Sequence, residues 1–143
     1  MSKLRLPFSD LSPAAYQGLV STSQALDKSP LGQELVELVY LRVSQINGCA
    51  FCLDMHAKAL RAAGVSQRKL DCLAGWRVSE LFDAREQAAL AWSESLTHIS
   101  SQDASEEQYA ALKATFSDTE ISDLTFAVSL INAFNRLAVG MRL

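Results

Sequence analysis

The chain has 143 residues, 49% hydrophobic and 20% charged, with a formal net charge of −3. That length suits one domain, residues 1–143, around one sizeable core, and the composition excludes a disordered chain. Its 13 Lys and Arg residues are scattered rather than clustered, so no nucleic-acid partner is expected.

The first residues, "MSKLRLPFSDLSPAAY", contain no apolar signal-type core, and no segment is expected to span a bilayer. The expected setting is cytoplasmic, with no membrane partner. Three cysteines, an odd number in a reducing compartment, point to redox or metal chemistry rather than to a disulfide framework.

Helix signals recur from one end to the other. Ser12 as N-cap and Pro13 at the first helical position open "SPAAYQGLVSTSQAL". Ser29 and Pro30 repeat the device for a second helix, which ends at Asn47-Gly48. A third is predicted from Cys49 to Ala63, with Gly64 as its stop, and Ser66 caps a short fourth containing Cys72 and Trp76. Asp83 with Glu86 forms a capping box for a fifth; Ser105 with Gln108 opens a sixth, and Ser117 with Glu120 a seventh. No stretch alternates with period two between hairpin turns. The expected fold is therefore all-α, a compact bundle of six or seven helices without repeats or linkers.

The chemistry concentrates in "INGCAFCLDMHAKALRAAG". At about 100° per residue, Cys49, Cys52 and His56 fall within roughly 60° of one another on the third helix. Leu53, Leu60 and Ala63 share that face, whereas Asp54, Lys58 and Arg61 lie opposite. A thiol in the first turn meets unpaired N–H groups and the positive end of the helix dipole, which lower its pKa. A histidine one turn later can take or return the proton. CxxC spacing also brings two sulfurs close enough for a disulfide.

The preceding helix is apolar nearly all round from Leu35 to Ile46, yet it contains Glu37. If the chain reverses at Asn47-Gly48, antiparallel packing places Glu37 within ~3 Å of His56 along the axis. A relay of Cys52, His56 and Glu37 follows. Helix position favours Cys49 as the reactive thiolate, whereas proximity to His56 favours Cys52; we take Cys52.

Plainer explanations compete. The cysteines could be small core residues, Glu37 a carboxylate at an oligomer edge, and His56 a hydrogen-bonded core histidine. Cys49, Cys52 and His56 could also hold zinc, but no fourth ligand lies nearby in sequence; the expectation is no metal and no cofactor. Cys72 is expected in the core, His98 at the surface near a helix end, and Trp76, Phe82 and Trp92 in packing or subunit contacts. The apolar surplus of the second and last helices calls for a homo-oligomer.

Glu37, twelve residues before Cys49-x-x-Cys52 and His56, resembles the active-site motif of the AhpD-like alkylhydroperoxidases of the carboxymuconolactone decarboxylase superfamily. "LRVSQINGCAFCLDMHAKALRAAG" and "WRVSELFDAREQAALAWSESLT" both look typical of that group, and the resemblance spans about residues 30 to 100. It implies an all-helical protomer in homotrimers or homohexamers that reduces organic or hydrogen peroxides with a thiol pair. Cys52 would be the peroxidatic thiol, Cys49 the resolving one, and His56 and Glu37 the proton relay. An external dithiol would restore the pair. The best-known peroxidases of the group carry a histidine between the cysteines, where this chain has Ala50 and Phe51. The decarboxylase branch lacks the CxxC pair, so lactone decarboxylation fits poorly. The alternative function is a non-catalytic, redox-responsive oligomer whose CxxC state controls assembly or partner binding.

Overall fold

The computed structural model describes residues 3–143. Among them are eight α-helices: α1 (Phe8–Leu11), α2 (Pro13–Leu26), α3 (Gln33–Asn47), α4 (Ala50–Ala62), α5 (Gln67–Asp71), α6 (Ala84–Thr97), α7 (Glu106–Thr115) and α8 (Asp118–Met141). A 3-10 helix, Leu73–Val78, joins α5 to the loop before α6. The class is all-α as expected, but six or seven helices were too few. The four-residue α1 is shorter than any periodic pattern can reveal. The expected fourth helix divides at Cys72, the C-cap of α5, and the 3-10 helix that follows leaves helical geometry again at Gly75.

α3 is the axis of the molecule, packed against α4, α6 and α8. One core half gathers Val39 and Val43 with Leu124, Val128 and Ile131 of α8. The other gathers Leu38 and Leu41 with Leu60 of α4, Leu73 of the 3-10 helix and Leu90 of α6. A helix that serves two cores must be apolar on both sides, which accounts for the composition from Leu35 to Val43.

The helix ends follow local chemistry. Asp83 and Ser117 form complete capping boxes with Glu86 and Glu120. Ser66 and Ser105 accept the backbone N–H of Lys69 and Gln108. Two expected caps fail. Ser12 makes no side-chain cap bond, although Pro13 does open α2. Ser29 does not start α3, because Gly32 intervenes at φ 87°, outside helical space, and α3 begins after it. The Ser29 hydroxyl instead accepts Leu31 N–H at 3.2 Å and donates to Asp123 at 2.6 Å.

α8 corrects another expectation. Its 24 residues are long and apolar enough, by length and composition, to cross a bilayer. In the structure it packs against α2, α3, α4, α6 and α7. Polar contacts run along its inner side: Asn135 donates to Ser44, and Asn47 donates to both Asn132 and Asn135. These bonds satisfy amides inside the bundle and fix the register of α8 against the end of α3.

Candidate active site

Gly48, in the left-handed conformation at φ 66°, ends α3 and reverses the chain. α4 then starts at Ala50, so Cys49 is its N-cap rather than its first residue, one position later than expected. The Cys49 sulfur accepts the Cys52 backbone N–H at 3.3 Å. The two cysteines are joined as a disulfide with their Cα atoms 5.3 Å apart. This is the oxidised form of the pair. Both are buried, 1% and 2% exposed, and pack against Ala138 of α8.

The α3–α4 reversal also brings Glu37 to His56. His56 Nδ1 lies 2.7 Å from Glu37 Oε2, with the Glu37 side chain 19% exposed. A carboxylate on Nδ1 fixes the ring and favours the tautomer that carries its proton there, leaving Nε2 to exchange a proton on the opposite side. His56 and Cys52 both line a cavity of about 420 Å³, bounded largely by apolar side chains of α2, α4 and α8. Cys49 is not part of that lining. The Glu37–His56 pair and the Cys49–Cys52 pair thus lie along the same α3–α4 hairpin, and only Cys52 of the two sulfurs borders the cavity.

Ala63, expected on the buried face of α4, is exposed beside Gly64 where the helix ends. Cys72 is half-buried against the core half around Leu60 and Leu73. His98 is exposed at the C-terminal cap of α6. Trp76, Phe82 and Trp92 are core residues.

Two features escaped the sequence analysis. Tyr40 stacks at a tilt on His56, ring centroids 5.1 Å apart, and it lines the same cavity. Its signal is the i, i+3 spacing from Glu37, which places both on one face of α3. The second is Glu94, a buried carboxylate that accepts hydrogen bonds from Arg42 at 2.9 Å, Trp76 at 2.8 Å and Arg77 at 2.6 Å. Burial pushes its carboxyl up, but the bonds from Trp76, Arg77 and Arg42 outweigh it and hold the value below the ordinary carboxylate range. Neither Arg42 nor Glu94 stands out in the sequence as half of a pair, because α6 also carries Glu86 and Glu94 sits between two serines.

Comparisons with known proteins bear on the family and the fold. Residues 13–95 match the model of the carboxymuconolactone decarboxylase family. The uncharacterised protein YdfG of Bacillus subtilis is 30% identical over 137 residues, 96% of this chain and 93% of its own length. A crystal structure from Agrobacterium tumefaciens, of a protein of unknown function named as a candidate AhpD antioxidant defence protein, superposes with a TM-score of 0.93. It is 37% identical and covers 98% of this chain and 96% of its own. The alkyl hydroperoxide reductase AhpD of Rhodopseudomonas palustris is 44% identical over 54 residues, 38% of this chain and 27% of that protein.

Proposed function

We propose that this chain, which belongs to the carboxymuconolactone decarboxylase family and has an AhpD-like fold, is a cytoplasmic thiol-dependent peroxidase or disulfide reductase. The observation that carries the proposal is the convergence on one cavity of Cys52 and of a His56 ring held by Glu37. In the reduced protein His56 takes the Cys52 proton through Nε2, and the imidazolium, stabilised by Glu37, stabilises the thiolate. The thiolate attacks a peroxide and becomes a sulfenic acid. Cys49, whose Cα is 5.3 Å from that of Cys52, condenses with it, releasing water and forming the disulfide. An external dithiol then reduces the pair by thiol–disulfide exchange.

Three supports converge on Cys52 as the attacked sulfur: it borders the cavity, Cys49 does not, and His56 stands one helical turn away. The helix N-terminus favours Cys49 instead, since the Cys52 N–H points at the Cys49 sulfur; that interaction suits a resolving thiol that must itself ionise. Ala50 and Phe51, the two residues between the cysteines, add no proton carrier, and Phe51 is 46% exposed.

Peroxide consumption measured with a panel of small and protein dithiols tests the proposal. Many turnovers with at least one of them are expected, and none with any would overturn it. The second reading, a redox-responsive oligomer, draws on the exposed apolar pair Phe51 and Met55, which flank Cys52 on α4. It requires one oxidation per chain and a change in assembly, where the peroxidase requires many oxidations and none.

A further inference from the structure

The wall of the cavity beside Cys52 carries two polar atoms that the protein does not satisfy. Tyr40 Oη and His56 Nε2 are buried and have no hydrogen-bond partner among the described residues. Both residues line the cavity, and they are 5% and 7% exposed. For His56 the proton relay accounts for a free Nε2, because Nδ1 is committed to Glu37. It gives no account of the Tyr40 hydroxyl. A phenylalanine would stack on the His56 ring as well and would leave nothing unpaired, and a buried unpaired hydroxyl is costly.

The remaining lining narrows what could pair with it. Val20, Phe51, Met55, Leu130 and Phe134 supply apolar walls, Ser23 and Gln24 add neutral polar groups, and no Lys or Arg side chain is among the lining residues. A ligand that fits therefore has an uncharged, apolar body and a small oxygen-bearing head. Burial raises the Tyr40 phenol above its ordinary value, with the nearby Glu37 and Asp27 carboxylates adding to the effect. The hydroxyl thus stays protonated and can donate.

We propose that Tyr40 is a further substrate-contacting residue, whose hydroxyl works with His56 Nε2 to hold the oxygen head of an uncharged apolar organic hydroperoxide while the cavity wall holds its body. The assignment rests on the peroxidase reading above. His56, having taken the Cys52 proton, is an imidazolium. The Cys52 thiolate attacks the terminal oxygen of ROOH; the S–O bond forms, the O–O bond breaks, and the electron pair leaves with RO⁻. Tyr40 donates a hydrogen bond to that oxygen as its charge grows, and His56 Nε2–H returns the proton. The products are ROH and the Cys52 sulfenic acid, and the free thiols are recovered through Cys49 and the external dithiol.

The test is Tyr40→Phe in the full-length protein. Reduced wild type and variant are mixed with cumene hydroperoxide or hydrogen peroxide, quenched over time, and their remaining thiols counted. A hydrogen bond to a developing charge gives a loss of about tenfold or more in the oxidation rate constant of the variant. A merely structural role would leave that rate alone, and equal rates overturn the proposal. Alkylation of Cys52 by iodoacetamide should be unchanged, since the hydroxyl acts on substrate and not on the thiol; a parallel slowing would overturn the role assigned to Tyr40. Cumene hydroperoxide should oxidise the wild type faster than hydrogen peroxide, and the reverse order would overturn the apolar-body assignment. If neither peroxide oxidises the wild type, the peroxidase reading has failed, and the cavity assignment is read from calorimetric binding of cumyl alcohol to the oxidised protein. Binding weakened by Tyr40→Phe supports it; equal or undetectable binding overturns it.

Discussion

At the scale of single residues, the contact between His56 Nδ1 and Glu37 at 2.7 Å sets the order in which substitutions should matter. Removing the imidazole takes away both the acceptor of the Cys52 proton and the cation that stabilises the thiolate. His56→Gln should slow the alkylation of reduced Cys52 near pH 7 and move its pH dependence to higher pH, as a pH series of iodoacetamide rates on reduced protein would show. Glu37→Gln should act in the same direction but more weakly, because the ring remains and loses only its orienting charge. The two sulfurs divide differently. Cys49→Ser should leave the first oxidation intact and let a sulfenic acid accumulate, detectable by a dimedone adduct, because no second thiol is present to condense. Cys52→Ser should abolish the fast oxidation. The opposite pattern would mean that the helix N-terminus, which presents its N–H to Cys49, outweighs the histidine and the cavity.

At the scale of elements, Glu94 ties α6 to Arg42 of α3 and to Trp76 and Arg77 of the 3-10 helix. Its carboxyl is held below the ordinary value, so the ionised group stabilises the fold above about pH 4.5, and that contribution fades as pH falls through the lowered folded-state value. Glu94→Gln should cost about 3 kcal/mol at pH 7, chiefly by leaving the mostly buried Arg42 without its anion. Arg77 is 57% exposed and can turn to water. Urea titrations should show the difference between variant and wild type shrinking below pH 4.5; a pH-independent difference would mean that lost packing rather than lost charge is responsible. The same elements show what a sequence reveals. Asp83, Ser105 and Ser117 announced their helices because a cap is local chemistry, written in four residues. The meeting of Glu37 with His56 followed from one local event, the reversal at Gly48. The Ser29 cap misled because Gly32, three residues on, overrode it. Glu94 with Arg42, and Tyr40 against His56, stayed hidden because each contact needs the packing angle of two helices. No helical wheel contains that angle.

At the scale of the whole molecule, the two-sided burial of α3 leaves its neighbours to supply the outer surface, and large apolar side chains remain there. Phe126 of α8 is 60% exposed and Ile99, just beyond α6, is 66% exposed. Single exposed apolar residues are ordinary on a protein surface. Here Ile99 also borders a shallow groove whose floor includes Val128 and Ala133 on α8, the helix that carries Phe126. A groove of that kind suits contact between copies of the chain, in which each covers the other's apolar surface. We therefore expect the purified protein to be a homotrimer or homohexamer by light scattering. A Phe126→Glu, Ile99→Glu double variant should shift that mass toward the protomer. Neither side chain belongs to the buried core, so the variant protomer should keep its helical circular dichroism and its Cys49–Cys52 disulfide. If the double variant assembles as the wild type does, this face is not the interface. A monomeric wild type would remove the oligomer altogether and leave both side chains as solvent-exposed residues of a single-copy protein.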